Sequence, residues 1–354
     1  MANKALEKLD AYIRRVDTEE GSDLHLTTGR KPMIRVADNL IPLANEAKLT
    51  AEDTRSFIEV LLNDEEKEAF LDTKDIDFSY SHDGLRFRAN CFFQRGKIGI
   101  AMRLIPSEIH TLDELNLPER LSRFAKKEQG FFLVVGPVGM GKTTTLASLL
   151  DIINRTRSEH IITIENPIEY VHKQKKSIVD QRSVGEDTAS FSSGLNNVFR
   201  QDVDVVMVGE MRDRETISTA VTAAETGHLV YSTLHTNNAS QTIDRIIDIF
   251  PPEQQGQIRT QLANSLTGIF SQRLVRRTSG GRTPAYELLI NNDAVSNLIR
   301  EGRVHEIDSV IDTHRKEGMI SMERSLIRLI HEGEIRMEDA RRYSLRPEAL
   351  ESMI

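Results

Sequence analysis

The stretch Phe131-Phe-Leu-Val-Val-Gly-Pro-Val-Gly-Met-Gly-Lys-Thr143 decides the fold of this 354-residue chain. Its second part, Gly136–Thr143, fits the phosphate-binding pattern G-x-x-x-x-G-K-[ST]. The apolar residues before the pattern predict a buried strand, and helical sequence follows from Gly141. Strand, glycine-rich loop and helix come in the order that phosphate binding needs, so we interpret this stretch as the phosphate loop of a nucleotide-binding protein.

The residue types of this loop match the chemistry of ATP binding. Glycines let backbone N–H groups turn inward around phosphate oxygens. Lys142 is expected to contact the β- and γ-phosphates, and the hydroxyl of Thr143 to ligate Mg²⁺. The predicted nucleotide contacts are Gly136, Gly139, Met140, Gly141, Lys142, Thr143 and Thr144.

Beyond this loop, apolar segments of strand length alternate with helical segments. Strands are predicted over residues 160–164, 205–208 and 229–234, and helices over residues 191–200 and 212–226, with helices only from residue 235 onward. Uninterrupted apolar strands that alternate with helices are typical of a parallel sheet covered on both faces. We therefore predict an α/β fold for residues 119–354, with a helical C-terminal region from about residue 290 to residue 354.

Two carboxylates stand at the ends of predicted strands. Glu165 follows residues 160–164, and Glu210 follows residues 205–208. Ligands of open α/β sheets bind beyond the carboxyl ends of the strands, so both acids are expected to face the phosphate loop. We predict that Glu210 ligates Mg²⁺, directly or through water, and that Glu165 deprotonates the attacking water. For Glu169 an ordinary surface role is an equal alternative.

Two histidines, His228 and His235, flank the predicted strand of residues 229–234. His235 follows the strand and is expected to face the crevice as a sensor of the γ-phosphate. A catalytic role is predicted for His228 as well, with a structural role as the alternative. The pair is not spaced like zinc ligands on one helix, and no cysteine cluster supports a zinc site.

Residues 1–105 predict a smaller α+β unit. Apolar residues at helical spacing between Leu6 and Val16 predict an amphipathic helix, and short alternating segments predict strands. Two of these segments flank Asp83-Gly84, a dipeptide typical of hairpin turns. The polar, proline-bounded residues 106–118 predict a linker.

Composition excludes several functional classes. The formal net charge of -8 argues against a non-specific nucleic-acid binder, so no nucleic-acid partner is expected. No window approaches the roughly 18 apolar residues of a membrane-spanning helix, so no membrane span is expected. The single cysteine, Cys91, cannot form an internal disulfide and fits the reducing cytosol.

The motifs resemble those of a known family. The order GPVGMGKTTT, ITIENPIEYV, VVMVGEMRD and TGHLVYSTLHTN is similar to the Walker A, Asp box, Walker B and His box of the type II/type IV secretion and pilus motor ATPases. Within this superfamily the chain resembles the retraction ATPases of type IV pili. Three features carry this likeness: the chain length, the opening Ser22–Pro32 and the segment Ala294–Glu301. The last of these is similar to the AIRNLIRE motif of retraction ATPases. One cysteine cannot supply the four-cysteine zinc element that is usual in assembly ATPases.

The resemblance implies a PAS-like N-terminal domain over residues 1–105 and a RecA-like ATPase domain over residues 119–354, assembled as a homo-hexamer. Nucleotide would bind between the two domains, where N-terminal arginines neutralise the transferring phosphate; the matching residues are Arg88 and Arg103, favoured over Arg95. The implied activity is Mg²⁺-dependent ATP hydrolysis that powers pilus retraction and twitching motility. The implied place is the cytoplasmic face of the inner membrane, with an inner-membrane platform protein and a paralogous motor ATPase as partners.

Several positions depart from the family pattern. Asn166 stands where the Asp box usually has aspartate, Met140 where the loop usually has serine, and Ser296 where the C-terminal motif has arginine. These departures favour two alternatives, an accessory paralogue with weak hydrolysis and a nucleotide-regulated scaffold that works through a partner motor. A pilus-assembly or type II secretion ATPase is a third alternative. A DNA-translocating protein is a distant alternative, because the sequence lacks a basic stripe.

Overall fold

The computed structural model describes residues 2–36, 39–105 and 108–353. The chain divides into two compact units, residues 1–107 and 108–354. Each unit has its own sheet and its own hydrophobic core. No helix formed by the described residues is both long enough and apolar enough to cross a membrane.

The described part of the N-terminal unit combines an antiparallel sheet with three helices. The helices are α1 (Ala2–Thr18), α2 (Ala51–Leu61) and α3 (Asp64–Thr73), and the strands are β1 (Asp23–Thr27), β2 (Met33–Val36), β3 (Asn39–Pro42), β4 (Asp75–His82), β5 (Leu85–Gln94) and β6 (Lys97–Ile105). The strand order is β3-β2-β1-β6-β5-β4, and all neighbouring strands are antiparallel. The β4–β5 hairpin confirms the turn predicted at Asp83-Gly84, where both residues have positive φ.

Apolar spacing explains how α1 packs. Leu9, Ile13 and Val16 are buried, and residues three and four positions apart lie on one side of a helix. The start of α2 is stabilised by a capping box, in which the side chains of Thr50 and Asp53 each bond the other residue's backbone N–H. The burial of Leu9, Ile13 and Val16 on one side of α1 confirms the amphipathic helix predicted between Leu6 and Val16.

The C-terminal unit has an α/β fold. Its strands are β7 (Gly130–Val135), β8 (His160–Glu165), β9 (Ile178–Ser183), β10 (Val205–Val208), β11 (Leu229–Leu234), β12 (Leu266–Arg276) and β13 (Arg282–Ile290). Its helices are α4 (Ser122–Ala125), α5 (Lys142–Thr156), α6 (Phe191–Val198), α7 (Arg214–Glu225), α8 (Ala239–Asp248), α9 (Pro252–Ser265), α10 (Asp293–Glu301), α11 (Ile307–Thr313), α12 (Met322–His331), α13 (Met337–Tyr343) and α14 (Pro347–Ser352). The described residues after β13 form helices, as predicted, apart from one isolated bridge at Ile320.

The sheet of this unit confirms the predicted parallel arrangement. Its strand order is β13-β12-β7-β11-β10-β8-β9, and all neighbours except β12 and β13 are parallel. Strands β7, β10 and β11 are buried along their whole length, which explains their uninterrupted apolar sequences. Since the parallel strands run the same way, the segments that follow them meet at one edge of the sheet.

One sequence-based prediction is wrong, and another falls partly outside the described residues. The prediction of helices only after residue 234 is wrong, because β12 and β13 form an antiparallel pair that extends the sheet beyond β7. The predicted linker, residues 106–118, begins with two residues outside the described ranges, and its remainder belongs to the C-terminal unit. Leu112 and Leu117 are buried in the core of that unit.

Candidate nucleotide site

Four segments meet at the carboxyl edge of the parallel sheet. The phosphate loop follows β7, Glu165 ends β8, Glu210 follows β10, and His235 follows β11. These segments line one cleft with a volume of about 190 Å³, together with Phe191 and other residues. The structure therefore brings together the loop, both predicted acids and one of the two predicted histidines.

Backbone conformation shapes the phosphate loop. Gly136, Gly139 and Gly141 have φ values of +148°, +75° and +78°, which side chains other than glycine adopt at a cost. Gly141 directly precedes α5, and within the described part of the chain that helix end has no side-chain cap. The loop thus presents an uncapped helix N-terminus, an arrangement that binds phosphate groups through backbone N–H groups and the helix dipole.

Lys142 lies buried inside the loop. Its Nζ donates hydrogen bonds to the carbonyl oxygens of Gly136 and Pro137, at 2.8 and 3.0 Å, and lies 3.3 Å from Nδ1 of His235. Burial lowers the pKa of Lys142 to about 8, opposed by the nearby carboxylates of Glu169 and Glu210. A phosphate group beside this amine would restore its preference for the charged form.

Glu165 is the buried acid of the cleft, with 4% of its surface exposed. Its Oε1 accepts hydrogen bonds from Thr163 Oγ1, at 2.7 Å, and from Gln181 Nε2, at 3.1 Å, while Oε2 is 3.5 Å from the backbone nitrogen of Glu169. Burial raises the pKa of Glu165, and the hydrogen bonds from Thr163 and Gln181 oppose that shift. A carboxylate held in this way, with a raised pKa, is suited to accept a proton.

His235 lies between Lys142 and Glu210. Its Nε2 is 3.5 Å from Oε2 of Glu210, whose other oxygen pairs with Arg212 at 2.8 Å. Burial and the charge of Lys142 lower the pKa of His235. The neutral ring can accept from Lys142 through Nδ1 and donate toward Glu210 through Nε2–H, so it links the phosphate-binding lysine to the second carboxylate.

Comparison with known proteins places this cleft in a family context. The Type II/IV secretion system protein family matches residues 3–342. The chain belongs to this family.

Relatives cover nearly the full length of the chain. The type IV pilus retraction ATPase PilT of Pseudomonas aeruginosa is 44% identical over 328 residues, 92% of this chain and 95% of that protein. A twitching motility protein of Neisseria gonorrhoeae is 42% identical, covering 90% of this chain and 86% of that protein. A crystal structure of the pilus retraction motor PilT with bound ADP matches with a TM-score of 0.91 and 46% identity, covering 96% of this chain and 98% of that one.

His228 does not join the cleft of this secretion-family chain. It precedes β11, whereas His235 follows it, so the six residues of the strand separate them by roughly 20 Å. Nδ1 of His228 is 3.1 Å from the carbonyl oxygen of Ala223, in the last turn of α7, and Phe199 packs edge-on against its ring. Within one copy of the chain, His228 stabilises the end of α7, and its predicted catalytic role has no support from the cleft geometry.

Arg88 and Arg103 lie in the N-terminal unit. They face each other across the β5–β6 pair. Nε of Arg103 donates to Asp23 Oδ1 at 2.8 Å, and Arg88 lies 3.8 Å from Asp77. Arg95, the less favoured candidate, sits at the tight turn between β5 and β6 with a φ of 49°. The role predicted for Arg88 and Arg103 in catalysis stays a prediction.

Several residues that lie behind the cleft lining and contact its segments were not predicted. The hydroxyl of Tyr170 lies 2.9 Å from Thr144 Oγ1, and Gln272 Oε1 accepts from Thr145 Oγ1 at 2.7 Å. Gln181 holds Glu165, as described above. These contacts join residues that are far apart in sequence, so no local pattern could have indicated them. Once the pairing of β8 with β9 is known, the position of Gln181 opposite Thr163 indicates its contact with Glu165.

Replacing Gly136 by alanine is expected to weaken ADP binding at least about tenfold, since backbone strain at such a site costs about 1–3 kcal/mol. A Cβ at this position would lie 2.5 Å from the carbonyl oxygen of Gln272, and φ is +148°. Gly256→Ala is the matched control, because a Cβ there would have no atom of the described residues within 4 Å. Titration with ADP measures the effect, and a Gly136→Ala protein that binds ADP like the parent would contradict this account of the loop.

Proposed function

We propose that this chain is an ATP-hydrolysing motor that powers retraction of type IV pili. The observation that carries the proposal is the cleft itself. A phosphate loop, a buried acid, a second carboxylate and a neutral histidine meet in a chain that is 44% identical to a pilus retraction ATPase over 92% of its length. The retraction role comes from that similarity, and the hydrolytic role is supported by the similarity and by the chemistry of the cleft.

Different residues of the cleft have different roles in hydrolysis. The backbone of the phosphate loop and Lys142 bind the phosphates and offset the charge that develops on the transferred group. Glu165 orients the attacking water and accepts its proton. His235 senses the γ-phosphate through its contacts with Lys142 and Glu210.

Oxygen donors in the cleft suit Mg²⁺. Thr143 and Glu210 both line it, and a hydroxyl and a carboxylate are the ligand types that this hard cation takes alongside phosphate oxygens. When bound, Mg²⁺ neutralises charge on the β- and γ-phosphates. Arg212 pairs with one oxygen of Glu210, while the other faces His235, so this carboxylate is oriented by two neighbours.

Finer parts of the proposal come from the family resemblance. The chain works as a homo-hexamer at the cytoplasmic face of the inner membrane, on a platform protein and beside a paralogous motor. The N-terminal unit is PAS-like, in keeping with its antiparallel sheet flanked by helices. Arg88 and Arg103 are its phosphate-directed arginines, and movement of the units couples hydrolysis to work.

Deleting the gene in its host tests the direction of that work. Loss of a retraction motor is expected to leave cells with excess pili, because assembly continues without withdrawal. Bare cells would instead identify an assembly motor. Counting surface pili by electron microscopy, with the wild-type gene restored as the control, distinguishes the two outcomes.

An accessory role is the second candidate. The chain is 39% identical to the type IV pilus ATPase PilU of Pseudomonas aeruginosa over 94% of its length. In addition, Asn166 stands beside Glu165 where the family resemblance places an aspartate. Steady-state hydrolysis by the purified chain decides between the candidates. Turnover with Mg·ATP supports a motor, and tight ATP binding without turnover supports the accessory role.

A further inference from the structure

Arg273, in β12, is a buried arginine that the proposed chemistry does not use. Its side chain is enclosed, and the whole residue is 4% exposed. Nη1 donates to the carbonyl oxygen of Gln272 at 2.9 Å, and Nη2 donates to the carbonyl oxygen and Oδ1 of Asn237 at 2.9 and 3.1 Å. None of these hydrogen-bond partners is a carboxylate, and the carboxyl group of Glu287 acts on the guanidinium only through its charge, without a hydrogen bond. Burying a guanidinium with so little compensation is costly for a purely structural residue.

Arg273 bonds the segment that follows β11 and contains His235. We call residues 235–238, between β11 and α8, the sensor loop. The carbonyl oxygen of Asn237 also accepts from Ser271 Oγ at 2.7 Å, and the backbone N–H of Ala239 donates to Glu287 Oε1 at 2.8 Å. Side chains from β12 and β13 therefore fix the sensor loop directly after His235.

The same stretch of β12 also contacts the phosphate loop. The backbone nitrogen of Leu274 lies 3.3 Å from the sulfur of Met140, and Gln272 bonds Thr145 at the start of α5. A Cβ on Gly136 would lie 3.3 Å from Nη1 of Arg273. The guanidinium of Arg273 thus lies beside Gly136 of the phosphate loop and donates hydrogen bonds to Asn237 of the sensor loop.

We propose that Arg273 is a positioning residue that sets the spacing between the sensor loop and the phosphate loop, and so controls how His235 responds to the γ-phosphate. This inference rests on the proposed ATPase function. Arginine suits the task because its planar fork donates to several oxygens at fixed angles, which lysine cannot do. Its charge, close to that of Lys142, also favours a polyanionic ligand in the loop.

Four variants separate these contributions. Arg273→Met removes the charge and the fork, Arg273→Lys keeps the charge alone, and Asn237→Ala removes one acceptor at an exposed position. Arg276→Met is the matched control, because Arg276 is an exposed arginine at the end of the same strand. Each protein is assayed for kcat with Mg·ATP and for dissociation constants of ADP and of the non-hydrolysable ATP analogue AMP-PNP, with His235→Ala as the reference.

For Arg273→Lys we expect ADP affinity within about threefold of the parent and kcat at least about tenfold lower, because misplacement of a group by about 1 Å has effects of this size or larger. The ratio of the ADP and AMP-PNP dissociation constants should move toward the value of His235→Ala. Arg273→Met should show the same changes with weaker binding of both ligands, Asn237→Ala a smaller change in the same direction, and Arg276→Met none.

An unchanged kcat and an unchanged ratio in Arg273→Lys and Asn237→Ala would overturn the inference, even where Arg273→Met does not fold. A parent protein that binds ATP without hydrolysing it would contradict the proposed ATPase function instead. In that event the ratio of the ADP and AMP-PNP dissociation constants still tests the role of Arg273.

Discussion

Replacing Lys142 by alanine is expected to lower the rate of ATP hydrolysis by about 100- to 1,000-fold or more, the usual cost of losing one group that stabilises charge in a transition state. The amine is buried in the phosphate loop, 2.8 Å from the carbonyl oxygen of Gly136 and 3.3 Å from His235. Alanine keeps the helix but removes the only side-chain cation that the described residues place in the lining of the cleft. Steady-state phosphate release measures the effect.

Lys176→Ala is the matched control for this experiment. Lys176 is an exposed lysine on the segment between β8 and β9, and its side chain takes no part in the cleft. The control should hydrolyse ATP like the parent protein. If Lys142→Ala also keeps the parental rate while remaining folded, the cleft is not the hydrolytic site.

Replacing Glu165 by glutamine is expected to abolish turnover while leaving ATP binding intact. Removing a general base costs about 100- to 10,000-fold in rate. Glutamine keeps the shape and can still accept the hydrogen bonds that Oε1 receives from Thr163 and Gln181. The variant is therefore expected to fold and to bind nucleotide, and single-turnover assays with titration of ATP separate binding from chemistry.

The control for this change is Glu186→Gln, because Glu186 is an exposed acid outside the cleft. It should leave both binding and turnover as they are in the parent. Weak ATP binding by Glu165→Gln would show that the acid supports the nucleotide site rather than the chemical step. Undiminished turnover would exclude Glu165 as the base.

The raised pKa of Glu165 also predicts the pH dependence of turnover. The ionised carboxylate is the active form of a general base, so kcat should fall as the pH drops through the pKa of Glu165 in the folded protein. Burial raises that pKa above the ordinary value of 4.5, which places the acid limb above pH 4.5. A kcat that stays constant down to pH 4.5 in folded protein would contradict this assignment.

Local sequence predicted the parts of the site that depend on local structure. The phosphate loop lies within one strand, one turn and one helix, so its residues identify it directly. Glu165, Glu210 and His235 could be placed because the residues that follow parallel strands meet at one edge. The same rule argues against His228, which precedes its strand, although its motif suggests a shared role with His235.

The missed features depend on contacts between distant segments. Strands β12 and β13 escaped prediction because polar side chains interrupt their apolar sequence. Ser271, Gln272 and Arg273 are nevertheless buried, since their side chains bond the sensor loop and the first turn of α5. Gln181 could not be linked to Glu165 before the pairing of β8 with β9 was known.

Pilus retraction in living host cells tests the central claim most directly. Labelled pili are followed in cells that carry the parental gene, Lys142→Ala or Glu165→Gln in place of the chromosomal copy. If ATP hydrolysis in this cleft powers withdrawal, pili should extend in all three strains and retract only in the parental one, and both variants should accumulate excess pili. Retraction at the parental speed in either variant would contradict the claim.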